Sequence, residues 1–132
     1  MKPRLDMIGL TVHDMAESIR FYRTLGLDIP DPDGGPYHDV TLEGGIRLSW
    51  NSVEMMREIE PDWKEPTGQR MTLAFLCESS AQVDTRHQAL VDAGFTSHKA
   101  PWDAFWGQHY AQVLDPDGNI VDLFSPIEPQ PL

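Results

Sequence analysis

One order of hydrophobic periodicities runs twice through this 132-residue chain, and each copy is too short to bury its own sheet face alone. In the first copy, residues 5–12 alternate as a strand, with Ile8, Leu10 and Val12 on one side and Met7, Gly9 and Thr11 on the other. Asp14 then reads as a helix N-cap with Glu17 in capping-box position, and Met15, Ile19, Tyr22 and Leu25 follow at helical spacing until Gly26 stops them. A short strand at residues 27–29, a turn over residues 31–36 and a hairpin of residues 37–43 and 46–50 about Gly44-Gly45 complete this copy.

After a crossover at residues 51–68, helical between Val53 and Ile59, the order returns. Residues 71–77 form a strand, Ser79 or Ser80 caps a helix with Val83, His87, Leu90 and Val91 on its apolar face, and Gly94 ends it. Strands follow at 95–100, 110–114 and 120–124, the last two joined by the turn Asp115-Pro116-Asp117-Gly118-Asn119. The expected fold class is α+β: two βαβββ repeats form facing curved mixed sheets around a cleft, with the helices on the outside. That makes a single domain over 1–132, with modules at 5–50 and 69–126 and a loose tail at 127–132.

Charge narrows the partners. The formal net charge is -11 and the pI about 4.6, which repels phosphate backbones and anionic lipid. Neither nucleic acid nor membrane is therefore an expected partner, and the acidic surface either simply keeps the chain in solution or also draws in a cationic small-molecule ligand. No apolar run reaches membrane-spanning length and residues 1–6 lack the apolar stretch of a secretory signal, so a cytoplasmic location is expected. Cys77, the single cysteine, follows Phe75 and Leu76 and reads as a buried thiol rather than a nucleophile.

Two stretches at opposite ends of the chain carry a family likeness. They are Ile8-Gly9-Leu10-Thr11-Val12-His13-Asp14 followed by Phe21-Tyr22-Arg23-Thr24-Leu25-Gly26-Leu27, and Asp115-Pro116-Asp117-Gly118-Asn119-Ile120-Val121-Asp122-Leu123-Phe124. In this order the chain resembles the glyoxalase, bleomycin resistance protein and extradiol dioxygenase group, the vicinal oxygen chelate (VOC) superfamily. The resemblance implies a homodimer and, in metal-dependent members, inward His and Glu side chains from the first and last strands of each half. Those positions fall here on Met7, Arg47, Thr72 and Asp122. Only Asp122 is a hard-metal ligand, against the roughly three protein donors that such a site needs, so no cofactor is expected, with a divalent metal as the alternative. A guanidinium in this slot repels cations and matches a carboxylate bidentately, which predicts an Arg47–Asp122 pair.

Among the histidines, His87 lies on the apolar helix face, His13 in a loop, and His38 and His98 in or near edge strands. His109 opens a central strand beside Tyr110 and is either an ordinary polar strand residue or the candidate catalytic base or hydrogen-bond donor. Residues 101–110 carry Trp102, Phe105, Trp106 and Tyr110, rings that either border a ligand pocket or plug one end of the cleft. Together with Met7, Arg47, Ser49, Thr72 and Asp122 they form the candidate ligand-binding set. The favoured function is a metal-free protein that sequesters a small molecule, similar to the bleomycin resistance proteins. The alternatives are a metal-dependent lyase or isomerase like glyoxalase, a dioxygenase, or a metal-free acid–base couple of His109 and Asp122.

Overall fold

Three helices and two mixed sheets make up residues 1–127, the part that the computed structural model describes, so the α+β class holds. The tail expected beyond residue 127 lies outside the described residues. The chain divides into two compact units, Met1–Arg23 with Leu27–Thr67 and Thr24–Gly26 with the residues from 68 onward. No helix among the described residues is long and apolar enough to cross a membrane.

The first unit contains β1 (Met7–Val12), α1 (Met15–Leu25), β2 (Tyr37–Thr41), β3 (Arg47–Ser52) and α2 (Val53–Ile59). Asp14 caps α1, its Oδ1 accepting from the Glu17 amide at 3.1 Å. Glu17 itself turns to Arg20 at 2.8 Å rather than back to the cap, so only half of the expected capping box forms. The sheet order is β1-β3-β2, with β1 parallel and β2 antiparallel to β3. Trp50 of β3 is fully buried and ties α1 to the sheet: its indole N–H donates to Ser18 Oγ at 3.1 Å, and its ring meets Tyr22 edge-on at 5.9 Å.

The strand expected at residues 27–29 does not form. Pro30 has no N–H to offer a ladder, and the carbonyls beside it are taken by side chains. Ile29 O accepts from Arg23 Nη2 at 2.6 Å and Nε at 3.0 Å, and Pro30 O is 2.8 Å from His38 Nε2. The first module is thus βαββ.

The second unit is a full βαβββ: β4 (Leu73–Leu76), α3 (Ser80–Asp92), β5 (Thr96–Ala104), β6 (Gln108–Leu114) and β7 (Ile120–Pro126), in sheet order β4-β7-β6-β5. Ser79 is the cap of α3, accepting from the Gln82 amide at 3.1 Å, while Gln82 Oε1 returns the bond by accepting from the Glu78 amide at 2.6 Å. The apolar face of α3 buries Val83, His87 and Leu90, whereas Val91 is exposed. His87 sits 2.7 Å from Ser97 Oγ, and burial holds its imidazole below the usual range, as suits a core histidine. Cys77 is buried and its thiol is pushed up by burial, which makes it a structural residue.

Helices α1 and α3 end alike. Gly26 and Gly94 have φ of +126° and +94°, letting the Leu27 and Phe95 amides reach Tyr22 O and Leu90 O at 3.0 Å. Strand β5 runs further than expected, through Pro101 to Ala104, with register shifts between Ser97 and Trp102. It tolerates the proline because it is an edge strand. Residues 101–110 are therefore the end of a β5–β6 hairpin rather than a loop.

Candidate functional site

Strand alternation gives each sheet one face that carries Trp50 or α3 and one that does not. In the first unit the second kind of face brings Arg47, Ser49 and Asn51 of β3 beside Met7 and Gly9 of β1 and Tyr37 and Asp39 of β2. Met7 and Arg47 are direct ladder partners. Arg47 donates from Nη2 and Nε to Asp6 Oδ2 at 2.6 and 3.1 Å and from Nη1 to Asp39 Oδ2 at 2.8 Å. Tyr37 OH donates to the same Asp39 oxygen at 2.8 Å, and this bond, with Arg47, holds the Asp39 carboxyl below the usual range. Ser49 is fully buried and accepts from Asn51 Nδ2 at 3.2 Å. A Cβ at Gly9 would stand 3.2 Å from Ser49 Oγ, so glycine keeps that pair in place.

In the second unit the corresponding face carries Tyr110 and Gln112 of β6 opposite Phe124 and Asp122 of β7. Asp122 is 5% exposed; its Oδ2 accepts from Tyr110 OH at 2.6 Å and its Oδ1 from Gln112 Nε2 at 3.0 Å. Burial, and then the Asp122 carboxylate, push the Tyr110 phenol up to about 12, so it remains a donor at neutral pH. Trp102 and Trp106 meet Tyr110 edge-on at 5.6 and 5.3 Å, and Phe124 stacks on it at 5.9 Å. Lys99 Nζ lies 4.0 Å from the centroid of Trp102. At the hairpin turn Trp106 is 48% and Phe105 97% exposed.

Each of Arg47 and Asp122 has partners within its own unit: Asp6 and Asp39 for Arg47, Tyr110 and Gln112 for Asp122. Asp6 directly precedes Arg47's ladder partner and Asp39 is its diagonal neighbour across β2, so local carboxylates meet the guanidinium first. Their spacing from Met7 and Thr41 was readable in the sequence. The expected His109–Asp122 couple does not form, because His109 alternates to the face opposite Tyr110. There its Nε2 lies 2.7 Å from Asp84 Oδ1 of α3 and its Nδ1 2.7 Å from Asp103 Oδ1 of β5. Thr72 is exposed ahead of β4, and Ala74 is the residue of that strand that stands opposite Asp122.

The donor set does not fit a divalent ion. Of the positions implied by resemblance, Met7 offers a thioether, Thr72 an exposed hydroxyl and Arg47 a cation, leaving Asp122 as the one carboxylate. Among the described residues no three His, Cys, Asp or Glu side chains are grouped to hold a metal.

Comparison with known proteins agrees with this architecture. A curated, uncharacterized protein of Mycobacterium bovis is 29% identical over 124 residues, covering 89% of this chain and 80% of its own length. Another, from Mycobacterium tuberculosis, is also 29% identical, over 89% of this chain and 72% of its own. A solved glyoxalase/bleomycin resistance protein/dioxygenase family enzyme from Burkholderia phytofirmans matches with a TM-score of 0.82 at 21% identity, covering 95% of this chain and 100% of that one. A glyoxalase-related enzyme from Fulvimarina pelagi matches at 0.81 and 22% identity, covering 92% and 87%. These two structural likenesses speak for the fold. The family model of the Glyoxalase/Bleomycin resistance protein/Dioxygenase superfamily matches residues 4–123, and the chain belongs to that superfamily.

Proposed function

We propose that this chain is a metal-independent binding protein that sequesters a planar, cationic small molecule on the ring-bearing face of its second module. The observation that carries this reading is the buried Asp122 carboxylate bonded to Tyr110, whose ring in turn packs against Trp102, Trp106 and Phe124. A carboxylate has about four acceptor positions, and the two bonds it receives here leave capacity for a ligand N–H. Flat rings add apolar area at small entropic cost, and Lys99 over Trp102 illustrates that the indole face accepts an ammonium group. Partial exposure of Trp106 supports a contact surface over a plug. The acidic net charge favours the approach of cations.

Titration with ethidium, a planar aromatic cation, followed by tryptophan fluorescence tests this. Trp102→Ala and Trp106→Ala each weaken binding by about tenfold or more, equivalent to about 1.4 kcal/mol, while circular dichroism stays that of the parent. Unfolding of both variants would instead make the rings a structural plug. Stoichiometric Ni, Zn, Fe or Mn in untagged purified protein would overturn metal independence and favour the glyoxalase-like or dioxygenase alternative.

A further inference from the structure

His109 stands directly behind the rings. Trp102 pairs across the hairpin with Tyr110, and the next pair, Asp103 with His109, presents to the opposite face, where α3 packs. Both ring nitrogens of His109 lie 2.7 Å from carboxylate oxygens, Nδ1 from Asp103 and Nε2 from Asp84. A carboxylate accepts and does not donate, and a neutral imidazole has one N–H to give. One of the two contacts would then set a nitrogen lone pair against an oxygen lone pair. Only the imidazolium, with two N–H groups, satisfies both.

Among the described residues, the charged groups that act on His109 are Asp84 and Asp103. From β7 the residue paired with His109 is Ser125, buried and without charge; from α3 the contacting charged group is Asp84, and from β5 it is Asp103. His87, the nearby titratable group of α3, is bonded to Ser97 and held low by burial. The His109 side chain is 15% exposed, whereas Asp84 and Asp103 are 58% and 74% exposed, so the imidazole is the sheltered member of each pair.

We propose that His109 is a proton-operated clamp: its imidazolium, held by Asp84 and Asp103, fastens the β5–β6 hairpin to α3 and so fixes the Trp102–Tyr110 face against which the ligand lies. His109 acts through the hairpin and touches no ligand, which makes it a positioning residue. The clamp stands on the free protein; its effect on the ligand rests on the binding role proposed above.

The sign follows from linkage. The two carboxylates, Asp84 first, raise the pKa of His109 above its usual value, offsetting the lowering by burial. A histidine raised in the folded state contributes stability that is fully present below its unfolded pKa of about 6.5 and is lost as pH rises through the folded value. The hairpin is therefore tightest in mild acid and loosens on the alkaline side of that raised pKa.

Two measurements on the free full-length chain test the clamp between about pH 5.5 and 9, on either side of the unperturbed histidine pKa. Nitrogen-15 NMR of the imidazoles gives the His109 titration, and hydrogen exchange, corrected to protection factors, gives the opening of the hairpin turn at residues 105–107. The expected result is a titration of His109 above about 6.5, with protection falling several-fold at the same midpoint. His109→Gln should remove that pH step, and Asp84→Asn, at an exposed position, should fold and move the midpoint down. A His109 titration at or below the usual value, or a step that survives in His109→Gln, overturns the clamp. Ethidium affinity is then measured over the same range. If the clamp titrates but no ligand binds at any pH, the binding role fails and the clamp survives; if ethidium binds with no pH step, the clamp does not govern the site.

Discussion

On the face turned away from Trp50, the first module is ionic: Arg47 joins Asp6 and Asp39, and Tyr37 adds a fourth polar group. On the matching face of the second, a carboxylate is held by a phenol and an amide, and the phenol is packed among rings. The modules repeat one order of elements, yet only the second completes it. Where the first has residues 27–30, with the Ile29 and Pro30 carbonyls met by Arg23 and His38, the second has the edge strand β5. That strand carries Trp102, and its turn carries Trp106. Trp102 and Trp106 of the ring face therefore depend on an edge strand that the first module lacks.

Three substitutions sharpen or break this contrast. Trp50→Ala should have the largest effect, about 4 kcal/mol by chemical denaturation, since it empties the fully buried link between α1 and its sheet. A loss below about 1 kcal/mol would mean that the first module is held by something other than its buried indole. Asp122→Ala comes next, at about 2 kcal/mol, because Tyr110 OH and Gln112 lose their acceptor in a mostly buried place. The same variant should bring the phenol's ultraviolet titration down from about 12, though not fully, as burial is its larger cause. Arg47→Ala should matter least, with a melting midpoint near that of the parent and little salt dependence, since its partners Asp6 and Asp39 are 55% and 36% exposed. A large loss there would show that the ionic face is structural, and would erase the contrast.

The reach of the sequence differed by kind of feature. Helix ends were legible from Asp14, Ser79, Gly26 and Gly94, because a cap depends on residues within one turn of it. The helix at Val53–Ile59 and the buried faces of β1 and α3 followed from period alone. Glu17 was misread because Arg20, three residues on, competes with the cap for its carboxylate. Residues 27–29 have the apolar alternation of a strand, and Ile29 does bury its side chain, but alternation says nothing of whether a ladder partner is at hand. The parity that separates His109 from Tyr110 was present in the sequence, whereas the register that puts Asp122 on the Tyr110 side was not.

The order of the main elements, the α+β class, the positions of the caps and the buried side of β1 were determined by the chain alone, since all of them arise from neighbours a few residues apart. The partners of Arg47, Asp122 and His109 were decided by the tertiary structure. A hydrogen bond needs its atoms within about 3 Å, and which carboxylate arrives there is set by strand pairing and helix placement rather than by the period of any one strand.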